Sequence, residues 1–143
     1  MLISAQQFAE IVNYLRNKAS VSLGSEKRRT TRMELRAKVI CTPINDGMPG
    51  QRFSVLTRDL SMEGIGLLTA IPIKQGQQFI AMLPRNDAET VFILCDVMHC
   101  GVVADGMFAL GCRYLKVLTK DLAHKIEDAG AKDTARIREK VLS

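Results

Sequence analysis

The sequence predicts a mainly β domain, a small antiparallel barrel or sandwich with a helix at each end. Three observations carry this. Between residues 36 and 116, short apolar stretches alternate with polar residues at a period of two. Clusters of Gly, Pro, Asn and Asp separate them. At both ends of the chain the spacing changes to that of a helix.

The first element is amphipathic. Phe8, Ile11, Val12 and Leu15 recur at helical spacing, which predicts a helix over Ala5–Lys18. The stretch "ASVSLGSE" then breaks the pattern and reads as a linker. "RAKVICTP" is the first strand and "NDGMPG" a turn. "RFSVLTRDL" alternates again, with Phe53, Val55 and Thr57 on one face. "GIGLLTA" is a short apolar strand ended by "IPIKQG". "QQFIAMLP" is another, and "PRNDAE" reads as a loop. "TVFILCDVMHCGVVA" is long and β-branched. Asp105-Gly106 signals a tight hairpin into "MFALGCRYLKV". Thr119 then caps a C-terminal helix, with Asp121 in its first turn and Leu122, Ile126 and Ala129 on one face; Gly130 breaks or bends it.

Length and charge bound the function. The 143 residues suit one domain with modest extensions, and the 47% hydrophobic and 24% charged content is ordinary for a globular chain. The formal net charge of +5 favours anionic partners. No apolar run reaches the roughly 18 residues of a membrane span. The N-terminus lacks the basic-then-apolar order of an export signal. The four cysteines form no C-x-x-C pair, so reduced thiols in a cytoplasm are expected.

Two local patterns are candidates for chemistry. "KRRTTR", residues 27–32, holds an R-x-x-x-R pair, Arg28 and Arg32. "DLSMEG" holds D-x-S-x-x-G, with Asp59, Ser61 and Gly64. With eleven arginines, chance supplies about 0.8 R-x-x-x-R pairs, and Arg32 and Arg36 make a second copy. Alone, the basic run is most simply a solvated patch. D-x-S-x-x-G, with Asn allowed for Asp, is expected only about 0.04 times. The two occur in order, the arginines just before the first strand and the acidic motif at the end of the second.

That combination resembles the PilZ domain, the bacterial receptor module for cyclic di-GMP, over residues 26–118; "LGCRYLKV" is similar to the family's closing strand. The resemblance implies a six-stranded antiparallel barrel with a C-terminal helix, and binding rather than catalysis. It divides the chain into an N-terminal helix and linker (1–25), the barrel (26–118) and a C-terminal helical segment (119–143). By position, Arg28 and Arg32 match the family's arginine pair, and Asp59, Ser61 and Gly64 its second motif. Lys27 stands where many members have another arginine; Lys27 and Arg29 are candidate secondary contacts.

The chemistry suits such a ligand. An arginine fork pairs bidentately with phosphate or with guanine O6 and N7, and its plane stacks on a base. Asp59 can accept from guanine N1–H and the exocyclic amine. Ser61 offers a hydroxyl, and Gly64 permits close approach or a positive φ. The implied role is a cytoplasmic receptor without a metal or enzymatic activity. It would couple cyclic di-GMP to a downstream protein in motility, biofilm or secretion control, with self-association open.

Two other readings stand beside this one. A nucleic-acid-binding barrel fits the charge, but aromatics are only 5% of the chain with no Trp, so stacking platforms are scarce. A ligand-independent adaptor is the second; family members of that kind usually lack the arginine pair. His99 with Cys95 and Cys100 hints at metal, but on a regular strand Cys95 and His99 share a face while Cys100 points oppositely. No fourth ligand has a familiar spacing, and buried thiols account better for the cysteines. His124 is expected exposed on the C-terminal helix.

Overall fold

Six antiparallel strands close on themselves around one apolar interior. In the computed structural model they are β2 (Lys38–Asn45), β4 (Phe53–Leu60), β5 (Gly64–Thr69), β6 (Gln78–Arg85), β7 (Ala88–Ala104) and β8 (Met107–Val117). Two-residue strands β1 (Met33–Glu34) and β3 (Met48–Pro49) extend the sheet. The order β4-β5-β8-β7-β6-β2 returns to β4 through a β2–β4 pairing, so those six strands leave no free edge in the ring. The expected six-stranded barrel is therefore the observed one.

The structure describes residues 2–18, 32–85, 88–104, 106–119, 121–123 and 125. Lys27, Arg28 and Arg29 of the basic run lie outside them. So do the whole linker, His124, Asp105 and the C-terminal chain from residue 126 on.

Alternation builds the interior. In β8, Leu110, Cys112 and Tyr114 point inward while Arg113 faces out. Val91, Ile93, Cys95 and Val97 do the same from β7. Asp46 and Gly47 both take positive φ, 52° and 77°, between the paired Asn45 and Met48. That is the two-residue type I′ turn that Asp-Gly favours. The segment read as a loop, "PRNDAE", is mostly strand: β6 runs to Arg85 and β7 begins at Ala88. Pro84 can enter because it stands beside a register irregularity between Leu83 and Arg85.

Helix α1 (Ala5–Lys18) starts at Ser4, whose Oγ accepts from the Gln7 N–H at 3.1 Å. Ile3 precedes the cap and Phe8 follows it by a turn, the positions of a hydrophobic staple. Ile11 and Leu15 are fully buried and join the barrel's apolar cluster with Ile3. Burial of each such side chain is worth about 1.5–3 kcal/mol before ordering costs. An ion pair, Glu10 Oε2 to Arg85 Nη1 at 2.9 Å, adds a polar clasp to β6. At the other end, Thr119 Oγ1 accepts from the Leu122 N–H at 3.4 Å, as a cap should.

The cysteines divide by position. Cys41, Cys95 and Cys112 are buried and Cys100 is half-buried. Burial pushes the Cys41 thiol up to about 12 and raises Cys95 and Cys112 as well. The three thiols therefore stay protonated and unreactive in the folded state. An aromatic disulfide reagent should label Cys100 first, with the other three following only as the chain unfolds. Cys100→Ser should remove the fast phase; equal rates at all four would contradict the assignment. The sign for stability follows from proton binding. The unfolded Cys41 thiol ionises near 9.0 and the folded one near 12, so stability is complete below the first value and falls as pH rises toward the second. Urea unfolding at about pH 8 and about pH 10.5 should register that loss, and Cys41→Ala should reduce it.

Candidate functional site

The site begins with an extra residue. Thr57 of β4 pairs with Leu67 of β5 and Asp59 with Gly66, so Arg58 has no partner and forms a bulge. Strict alternation would send Asp59 to the same side as Thr57, into the core. The bulge turns it out, while Thr57 and Leu60 both remain fully buried.

Four bonds hold the bulge. The Arg58 carbonyl accepts from the Leu35 N–H at 3.2 Å and from Arg36 Nη1 at 2.7 Å. The buried Thr57 hydroxyl donates to the Leu35 carbonyl and accepts from the Ala37 N–H at 2.9 Å. Arg36 is exposed, and its guanidinium binds the Arg58 backbone carbonyl.

Asp59 then lies across Gly66. A β-carbon on Gly66 would stand 2.4 Å from Asp59 Oδ1, so only glycine leaves space for the carboxylate there. Gly66 was not among the residues the sequence singled out, although "EGIGL" displays it two positions after Gly64. Arg32 Nη1 approaches Asp59 Oδ1 to 3.5 Å, and both side chains are partly exposed. β1 follows directly and pairs Met33 with Leu60 and Glu34 with Asp59. The last arginine of the basic run and the carboxylate of the second motif thus meet.

Ser61 and Gly64 shape the turn between β4 and β5. The Ser61 Oγ accepts from the N–H groups of Glu63 at 3.2 Å and Gly64 at 3.1 Å, and the Ser61 N–H donates to the Gly64 carbonyl at 3.0 Å. The hydroxyl is buried, so its visible work is within the loop. Gly64 has no positive φ. Its constraint is close approach: a β-carbon would fall 2.1 Å from the Cys112 carbonyl of β8.

Cys95 and His99 do not share a face. Val97 pairs with Cys112 and His99 with Gly111, so Met98 is a bulge that turns His99 outward while Cys95 stays inside. Among the described residues no group of three or more His, Cys, Asp or Glu is placed to hold a metal ion. None of their helices is long and apolar enough to cross a membrane. A groove of about 680 Å³ lined by Phe53, Ile71, Phe79 and neighbours contains no motif residue.

The barrel thus closes with an arginine and a carboxylate meeting on its outer wall. The PilZ domain model matches residues 26–129, and the chain belongs to that family. No curated protein gives a sequence match. Among solved structures, the PilZ domain of YcgR from Escherichia coli with c-di-GMP is 17% identical. It covers 81% of this chain and 98% of its own, at a TM-score of 0.47. The MrkH–c-di-GMP complex of K. pneumonia is 18% identical, with coverages of 81% and 55% and a TM-score of 0.47. The Bacillus subtilis inhibitor of motility, MotI/DgrA, is 11% identical, with coverages of 81% and 54% and a TM-score of 0.49. The chain thus spans about half the length of MrkH and of MotI.

Thr57→Val tests the support for the bulge. The substitution keeps shape and removes the hydroxyl, leaving the Leu35 carbonyl and Ala37 N–H without that partner. It should cost about 1–3 kcal/mol in urea unfolding. Loss well below 1 kcal/mol would mean that the bulge stands without it.

Proposed function

We propose that this chain is a cyclic di-GMP receptor that passes the binding event to a protein partner, with no catalytic step. The observation that carries the reading is the approach of Arg32 to Asp59 at 3.5 Å in a member of the PilZ family. Arg28 and Arg32 would hold phosphate and guanine with their forks, and Asp59 would accept from guanine N1–H and the exocyclic amine. Lys27 and Arg29 would add charge at the rim. Ser61 and Gly64 would present the loop, as their internal bonds and close packing suggest.

The cost of opening the site is small. An ion pair this exposed contributes about 0–1 kcal/mol, so exchanging it for ligand contacts gives up little. Its position also supports an output route. The Ile3 N–H donates to the Met62 carbonyl at 2.9 Å, so the D-x-S-x-x-G loop touches the start of α1. The D-x-S-x-x-G half of the site therefore borders α1, and ligand that reorders that loop would alter how α1 sits. A regulator of motility, biofilm formation or secretion in the cytoplasm fits that role, and residues 1–25 would serve as the moving part.

Titration calorimetry with cyclic di-GMP tests the reading and gives the stoichiometry. Wild type should release or absorb heat at low micromolar or tighter affinity. Arg28→Ala, Arg32→Ala and Asp59→Ala should each weaken binding about 10- to 150-fold, the worth of a hydrogen bond to a charged group. Silence from wild type at high micromolar ligand would end the proposal. Salt-dependent binding of single-stranded RNA or DNA in its place would favour the nucleic-acid reading.

A further inference from the structure

The bulges at Arg58 and Met98 have a joint result. Asp59 pairs with Gly66, Gly66 with Gly111, and Gly111 with His99, so four strands contribute one straight row across the barrel's outer wall. Its two central residues have no side chain. The outer two lean over them: Asp59 Oδ1 lies 2.4 Å from where a Gly66 β-carbon would be, and His99 Nε2 lies 2.1 Å from the same point on Gly111. Directly opposed β-carbons are roughly 5 Å apart, so the carboxylate and the imidazole lie over neighbouring glycines of one row, within reach of one planar ring's edge. In the neighbouring outward row, Arg113 pairs with Gly64 and is tied through Nε to Asp96 Oδ1 at 2.9 Å.

We infer that His99 is a ligand-contacting residue of this site and reads the acceptor edge of the guanine whose donor edge meets Asp59. The inference rests on the cyclic di-GMP reading above. The complementarity is chemical. A carboxylate only accepts, and it takes N1–H and the exocyclic amine; an imidazole N–H donates, and O6 lies beside N1 on the same purine edge. His99 is exposed, and its imidazole lies over the Gly111 backbone on the outer wall. An adenine would present an amine to the His99 N–H and lacks the N1–H for Asp59, so the pair selects guanine from both sides.

The test is calorimetry with cyclic di-GMP and cyclic di-AMP on the full chain. Wild type should bind the first and exclude the second. His99→Ala should weaken cyclic di-GMP about 3- to 10-fold, the range for one neutral hydrogen bond, with the thermal midpoint unchanged. His99→Gln, which restores an N–H donor, should recover part of the loss; His99→Phe, which keeps only the ring, should not. Gly111→Ala puts a methyl where the imidazole lies and should also weaken binding. Wild-type affinity in His99→Ala, or full recovery in His99→Phe, would overturn the assignment while leaving the receptor reading intact. Failure of wild type itself to bind would remove the receptor reading, and this inference with it.

Discussion

The outer site depends on the extra residue in β4. A strand has a side-chain period of two, and Thr57 is committed to the interior by its hydroxyl, which joins the backbones of Leu35 and Ala37. Were Arg58 paired as a regular strand residue, Asp59 would be buried in an apolar barrel, where an unpaired carboxylate is far too costly to remain charged. With Arg58 as the bulge, Thr57 and Leu60 fill the core and the carboxylate reaches solvent. The Arg58 carbonyl, removed from the regular ladder, is taken by the Leu35 N–H and the Arg36 guanidinium. The same segment, residues 32–37, therefore secures the bulge and delivers Arg32 to it. The two halves of the site are held by one piece of local structure.

Closure of the barrel adds a second constraint. β5 is flanked by β4 and β8, and its outward positions are Gly64, Gly66 and Leu68. Gly64 lets the strand start against the β8 backbone, and Gly66 makes space for Asp59. A six-stranded ring is small, and inward side chains such as Leu67, Ile93 and Tyr114 fill its interior. On the outside, a wall of side chains would hold a ligand away from the backbone. Paired glycines remove that wall locally. The loss of strand stability that glycine brings, roughly 0.5–1 kcal/mol each, is offset by the core behind them, where Ile65, Leu67 and Leu110 are nearly inaccessible.

Much of this was legible from residues alone. Period-two alternation located the strands because the barrel has one apolar and one solvated face. Asp-Gly at 46–47 marked its turn by the positive φ that pair tolerates. Phe8, Ile11, Val12 and Leu15 gave α1 because only that face is buried. Bulges were not legible. Nothing in "VLTRDL" or "DVMHC" says which residue is left unpaired, since that depends on the neighbouring strand's register. The sequence therefore assigned Cys95 and His99 to one face and gave no reason for Asp59 to point outward. "PRNDAE" was misread as a loop for a related reason: Pro84 and the charges suggest a turn, but β6 and β7 continue to pair around an irregularity. Gly66 was in plain view and went unused, because its meaning requires knowing that Asp59 is its cross-strand neighbour.

The contact between the site and the helix follows from the same geometry. Ile3, Ile11 and Leu15 anchor α1 and the residue before its cap in the apolar cluster, and one backbone bond joins Ile3 to the Met62 carbonyl of the D-x-S-x-x-G loop. Burial of several aliphatic side chains resists detachment by an amount that a single exposed ion pair cannot match. On the receptor reading proposed above, a ligand that displaces the Arg32–Asp59 contact would therefore shift α1 over β6 without detaching it, with the apolar face still covered and the Glu10–Arg85 pair at the moving seam.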